Sequence, residues 1–339
     1  MNYLEKDIDN TTNKLINSDI SYNKSFNSLT KIIDKKSFIK ATIKKKFKKK
    51  KYIFLLILIH FCFLSFLLIL VYKSIIKNAM ETLFPFLRPI PFLNIYTSTH
   101  RDFDNHITSP IYKIVCDDKS QLKQEYNLSI IETNKDNILY PKRKAYGEMS
   151  KMYYIWKLYK KGDLNSKYVG FNYYGRFFPF KDNIPDLDEM FKNYDAIVKS
   201  RYVFGITVRE HFYDSHIGHF LNETLDIIKE KFPEYYQYSL SSLEKTYANL
   251  CNVFIMKKDD FIKWGEFVFG VLIELDRRYK LKTDKDIRKL IIKEVKKSNK
   301  QLNIDFQSRL EFFLSERIGI GFYERHFKKV YEIPTLEQY

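Results

Sequence analysis

The sequence predicts an α/β domain over Leu93–Tyr339, preceded by a single transmembrane helix. Three observations lead there. After residue 93, β-favouring apolar runs alternate with amphipathic helical stretches, the pattern of strands covered by helices. The roughly 247 residues of that region carry Phe, Tyr, Ile and Leu throughout, enough to bury one core. Upstream, a lysine block abuts an uncharged apolar run from Tyr52 to Tyr72, 21 residues long.

At ~1.5 Å per residue such a run spans a hydrocarbon core of ~30 Å, where the backbone must satisfy itself as a helix. Lys44, Lys45, Lys46, Lys48, Lys49, Lys50 and Lys51 precede it, whereas only Lys73 and Lys77 follow closely. Positive charge stays cytosolic. The expectation is a signal anchor at 52–72 and a single-pass type II topology with the C-terminal domain lumenal. Its setting would be the Golgi or another secretory-pathway membrane. Residues 1–51 hold 14 Lys against 5 acids, so +9 of the chain's +17 charge is a topogenic tail touching the lipid bilayer, and no nucleic-acid partner is expected. This basic tail is polar and expected to be disordered. A stem over 73–92 contains Pro85, Pro89 and Pro91.

Within the domain, Leu93–Arg101 reads as a first strand ending in Thr99, His100 and Arg101, at the end where open α/β sheets place ligands. Tyr146–Lys160 reads as a helix with Met149, Met152, Tyr153, Trp156 and Leu158 facing inward or nearly so, and Gly162 is a fitting left-handed cap. Lys167–Phe178 reads as a buried strand running into a Gly-Arg loop, and Tyr194–Val198 as another strand. From His216 to Phe232, Ile217, Phe220, Leu221, Leu225 and Ile228 form one helical stripe that Pro233 stops. Leu250–Met256 is an apolar strand, followed by a helix over Asp259–Arg278 and a mostly helical Arg309–Val330. Cys62 falls in the apolar run; Cys116 and Cys251 either pair or remain thiols, a choice the sequence leaves open. Asn127-Leu128-Ser129 and Asn222-Glu223-Thr224 are sequons.

These segments resemble a family of glycosyltransferases catalogued as domain of unknown function 4422 and common in capsular-polysaccharide gene sets. The resemblance rests on Thr99-His100-Arg101, then Tyr146, Glu148, Ser150, Tyr154, Trp156 and Lys157. Next come Gly170-Phe-Asn-Tyr-Tyr-Gly-Arg-Phe-Phe178, and His216, His219, Pro233, Glu234 and Tyr235. Asn252-Val-Phe-Ile-Met-Lys-Lys258, Arg309 and Glu316-Arg317 complete the order. It implies a GT-A-like Rossmann-type central sheet flanked by helices. It also implies transfer of a hexose from a nucleotide-sugar donor, a UDP-sugar first among candidates, to a glycan acceptor. Tyr173 and Gly175 stand where the family carries His and a first Arg.

Such a transfer must neutralise the departing diphosphate. A carboxylate pair at the end of a central strand would hold a divalent metal. Here Asn172, Tyr173, Tyr174 and Arg176 occupy that place, while Asp117-Asp118 and Asp259-Asp260 lie elsewhere in the sequence, so no metal is predicted. Arg176 and then Arg101 are the candidates for phosphate contact, since a guanidinium forks onto phosphate oxygens and stays charged. Thr99, His100, Arg101, Glu148 and Arg176 are assigned to the donor; His216, His219, Asn252 and Arg317 to substrate hydroxyls; Glu316 to a general base. His211, His216 and His219 lack the further ligands zinc needs. The alternative reading is a membrane-tethered carbohydrate-binding or scaffold protein without turnover. A third reading makes the lysine block a lipid sensor.

Overall fold

The computed structural model describes residues 40, 59–69, 71–72, 92–103, 107–133, 136–298 and 300–337. Two compact units are distinguished, Met1–Pro89 and Ile90–Tyr339. In the first, residues 59–69 and 71–72 are helical, with Phe61, Leu64, Phe66 and Leu68 more than half exposed. The expected span over 52–72 therefore lies partly outside the described residues. Among those described, no helix is long and apolar enough to cross a membrane. All of the expected tail but residue 40, and all of the stem but residue 92, also fall outside them.

The second unit is built on a mixed sheet. Its strands are β1 (Leu93–Ser98), β2 (Tyr112–Cys116), β3 (Ser129–Glu132), β4 (Tyr168–Tyr173), β6 (Ala196–Lys199), β9 (Phe254–Lys257) and β10 (Val330–Ile333). They lie in the order β10-β6-β9-β4-β1-β2-β3. β1 pairs parallel with both β2 and β4, β2 with β3, and β6 with β10. β9 runs antiparallel between β4 and β6. The short β5 (Arg176–Phe177) folds back on β4 and pairs with β11 (Leu336–Glu337). β7 (Tyr202–Val203) and β8 (Tyr247–Ala248) form a separate two-stranded ribbon.

Alternation along each strand divides the core in two. Tyr96, Val115, Val169, Phe171, Val198, Phe254 and Met256 face one cluster. There they meet α1 (Glu148–Lys161), α4 (His219–Lys231), α5 (Pro233–Leu243), α6 (Lys258–Tyr279) and α8 (Leu310–His326). Ile95, Ile114, Ile197 and Ile255 face the other cluster, against Phe103, Ile107, Phe178 and α2 (Leu187–Asn193). α3 (Val208–Ser215) and α7 (Asp284–Ser298) complete the helices discussed below.

The predicted first helix forms as α1. Gly162 takes φ 83° and donates back to Tyr159 O at 3.1 Å, a conformation that costs glycine no Cβ clash. α6 crosses close to α1 because Gly265 has no side chain: a Cβ there would sit 2.2 Å from the Trp156 ring. Three expectations are corrected. The stripe from His216 begins instead at His219, because α3 ends at Ser215 and His216 caps it. Pro233 closes α4 but also opens α5, a first-turn position where its missing N–H has no partner to lose. The strand expected over Leu250–Met256 begins only at Phe254, since Cys251 and Asn252 take left-handed φ of 82° and 45°. Cys116 and Cys251 are both free thiols.

Candidate functional site

Because β1, β2, β4 and β6 run parallel and β9 opposes them, the carboxyl ends of four strands and the start of β9 share one edge. β1 lies between β2 and β4, where the chain's winding reverses; in open α/β sheets this is where ligands bind. Thr97 and Asn172 are in register there, and the Thr97 hydroxyl donates to Asn172 Oδ1 at 2.7 Å. The Asn172 amide nitrogen is buried with no partner, a donor without an acceptor next to this edge.

Thr99 is buried just past β1. Its hydroxyl donates to Arg101 O at 2.5 Å and accepts from Arg101 N, fixing the turn that exposes the next two side chains. The Arg101 guanidinium lies 4.9 Å from the centre of the Tyr174 ring, and His100 meets the same ring edge-on. His100 is held below its ordinary value by partial burial and by the cations of Lys151 and Arg101. Beside them, at the end of β2, the Lys151 ammonium donates to Asp117 at 2.8 Å, and Thr133 donates to the other carboxylate oxygen. Both charged partners are buried.

On the other flank, Tyr173 and Arg176 pair across the turn that joins β4 to β5. The Arg176 guanidinium lies over the Tyr173 ring and donates to Cys251 Sγ. Helix α8 supports the Cys251–Asn252 corner from behind. Cys251 N donates to Glu316 Oε1 at 2.9 Å, and Asn252 Nδ2 donates to Ser315 Oγ at 3.1 Å. Arg317 donates to Glu316 Oε2 at 2.8 Å and, through its other terminal nitrogen, to His211 at 3.3 Å. Burial raises the Glu316 carboxyl, opposed by Arg317, that amide, Arg309 and Arg176. Burial also raises Tyr173 and Cys251. At the end of β6, Lys199 is buried and donates to the Tyr202 hydroxyl.

Glu148 opens α1 with Arg309 at 3.9 Å. Burial pushes its carboxyl up to about 7, and Glu316 adds to the rise while Arg309 and Lys151 oppose it. Arg309, Arg176 and Arg317 thus share a field with Glu148 and Glu316, and Lys151 extends it towards β2. Arg309, Arg317 and Lys151 are each paired with a carboxylate, while Arg101 and Arg176 are the guanidinium groups whose fork suits an anionic ligand.

The structure gathers Thr99, His100, Arg101, Glu148, Arg176, Asn252, Glu316 and Arg317 along this edge and its supporting helix. It sets the other two histidines apart. His216 is buried against Phe313, at 4.2 Å, and Phe212, and donates to Gln307 Oε1; burial lowers it to about 3. His219 is exposed at the first turn of α4, with Glu294 3.9 Å away. The two therefore do not share a helix face. Among the described residues no group of three or more His, Cys, Asp or Glu is placed to hold a metal.

Lys151, Lys199, Tyr202 and Ser315 were missing from the sequence-based assignment. Lys151 left one trace, a cation inside the otherwise buried run 149–153. Lys199 ends β6 and Tyr202 opens β7, so their meeting depends on strand pairing that the sequence does not show.

The profile of the family described as a domain of unknown function (DUF4422) matches residues 94–295. A solved structure described as the WbbM bifunctional glycosyltransferase, in its apo form, is similar with a TM-score of 0.54 and 17% identity. The match covers 72% of this chain and 45% of that one, so the chain spans under half of that protein's length. At this identity the likeness is one of fold: a glycosyltransferase-like α/β sheet with flanking helices. No curated protein matches the chain.

Proposed function

The chain belongs to the domain of unknown function 4422 family, and on that premise we propose that it is a glycosyltransferase moving a hexose from a nucleotide sugar to a glycan. The observation that carries the reading is the pair of guanidinium groups at the switch point of the sheet, Arg101 past β1 and Arg176 past β4, with the unpartnered amide of Asn172 in β4. The strand order, with β9 antiparallel beside β4, supports placing it with the GT-A nucleotide-sugar fold. Thr99, His100 and Arg101 would meet the nucleotide of a UDP-sugar and Arg176 its diphosphate. Fixed guanidinium charge would stabilise the leaving group where other transferases use a metal. Glu316 has both oxygens engaged, by Cys251 N and Arg317, so we move the proton-accepting role to Glu148. Asn252 would contact a sugar hydroxyl. His216, enclosed by phenylalanines, supports the core instead.

Calorimetry of the purified full chain against nucleoside diphosphates, with turnover of the matching sugar donors, tests this. Binding is expected without added metal, and turnover is expected to survive EDTA. Arg176→Ala should weaken binding by ~1.5–3 kcal/mol, roughly ten- to hundredfold. Strict manganese dependence would remove the guanidinium from its role, and silence across all donors would remove the enzyme. Tyr173 and Gly175, in place of the family's His and Arg, favour a second reading: a glycan-binding descendant without turnover. Glycan bound with no nucleoside diphosphate released would establish it.

We also propose the apolar run at 52–72 as a type II anchor that places the domain in the secretory-pathway lumen. Protease protection of the C-terminal domain in sealed microsomes tests the topology.

A further inference from the structure

Two consecutive residues other than glycine with left-handed backbone are costly and persist only where surroundings over-determine them. Cys251 and Asn252 are such a pair, at φ 82° and 45°. Cys251 stands where the Arg176 guanidinium contacts its sulfur, and Asn252 leads through Val253 into β9. What holds the pair is helix α8. Consecutive residues on its buried face, Ser315 and Glu316, each take one of the two corner residues: Glu316 accepts the Cys251 amide, and Ser315 accepts the Asn252 side chain. Glu316 is itself fixed by Arg317, which is 3% exposed and tied to His211. The chain of contacts runs from α3 through α8 and the corner to Arg176.

We infer that Glu316 is a positioning residue, which holds the Cys251–Asn252 corner left-handed and through the Cys251 sulfur sets the direction of the Arg176 guanidinium. This rests on the donor-binding reading of Arg176. An acceptor oxygen is the property required of Glu316, since its work is to receive a backbone N–H. A glutamine keeps that oxygen for the Cys251 amide while giving up the charge paired with Arg317; an alanine removes both and leaves the amide of a strained residue unpaired.

The full chain, with Glu316→Gln, Glu316→Ala, Arg176→Ala and the Glu316→Ala/Arg176→Ala pair, decides it by two readouts. The first is uridine diphosphate binding by calorimetry. Glu316→Gln is expected within about threefold of wild type and Glu316→Ala at least tenfold weaker. Adding Arg176→Ala to Glu316→Ala should cost little more, because the corner already governs that guanidinium. The second needs no ligand: the iodoacetamide labelling rate of Cys251, followed at its peptide by mass spectrometry. Labelling is expected to rise about tenfold in Glu316→Ala and to stay at wild-type level in Glu316→Gln.

Equal damage from glutamine and alanine in both readouts, or additive losses with Arg176→Ala, would overturn the inference. Should the wild type bind no uridine diphosphate, the donor-binding reading fails, and labelling alone decides the corner. Unchanged labelling in a folded Glu316→Ala protein would then overturn the positioning role as well.

Discussion

Lys151 and Asp117 form a buried ion pair, Nζ to Oδ2 at 2.8 Å, that ties the first turn of α1 to the end of β2. Thr133 on the neighbouring segment satisfies the second carboxylate oxygen, so the charges are both paired and hydrogen-bonded. Removing one partner leaves the other charged, buried and alone. Lys151→Met is expected to destabilise the domain by ~3–5 kcal/mol, measured by urea unfolding. Adding Asp117→Asn should recover much of the loss. If Lys151→Met is neutral, the pair carries no such weight.

Glu148 gives the proposed transfer a pH signature. With its carboxyl pushed up to about 7, it can accept a proton only above that pH. The rate kcat/KM should fall about tenfold per pH unit below the transition and level off above it. Glu148→Gln should lower the plateau and abolish that limb. A profile flat from pH 5 to 8 would remove Glu148 from proton transfer.

Stability should respond to pH through two other buried groups of opposite sign. Glu311, fully buried on α8, has neither carboxylate oxygen donated to and faces Asp276, Lys142 and Tyr146; burial and the Asp276 carboxylate raise it well above its ordinary 4.5. Its proton is bound more tightly in the folded chain. The stabilisation is full below pH 4.5 and is lost as pH rises through the folded value. His216 is lowered from 6.5 to about 3, so its contribution is present above 6.5 and is lost as pH falls through the folded value. Relative to wild type, Glu311→Gln should flatten the decline above pH 6.5, and His216→Phe the decline towards pH 3. Urea midpoints across pH 3–9 check both. An unchanged alkaline slope in Glu311→Gln would show that Glu311 is ionised in the fold.

Packing offers a prediction that needs no ligand. A Cβ at Gly265 would meet Trp156, whose indole nitrogen also donates to Ile262 O at 2.9 Å and so resists displacement. Gly265→Ala should cost ~1–3 kcal/mol through overpacking between α1 and α6, although alanine favours helix. A rise in Tm would show that the ring can yield.

Much of the fold was legible because it is written locally. The Met149–Trp156 spacing, the Gly162 cap, the α6 stripe and the apolar run of β4, a strand buried on both faces, can each be read from neighbouring residues. Other elements were not. β2 and β3 are short and edge-proximal, and their five and four residues carry too little pattern to stand out. β10 was not foreseen: the expected helical stretch stopped at its first residue, Val330, and only pairing with β6 distinguishes Val330–Ile333. In the site, Arg176 and Asn252 stood out as polar groups beside apolar strands. Lys151 and Lys199 did not, because one lysine among 58 basic residues is unremarked until burial singles it out.

By itself, the sequence determined that strands and helices alternate after residue 93, and which faces of the long helices go inward. Hydrophobic period is a property of neighbouring residues, and needs no knowledge of distant ones. Only the tertiary structure decided that Glu316 serves the Cys251 amide, that Asp117 and Lys151 are one pair, and that His216 belongs to the core. Each depends on which of many chemically equal side chains lies within about 3 Å of a given partner. That distance is set by strand order and helix packing across 34 to 91 residues of chain.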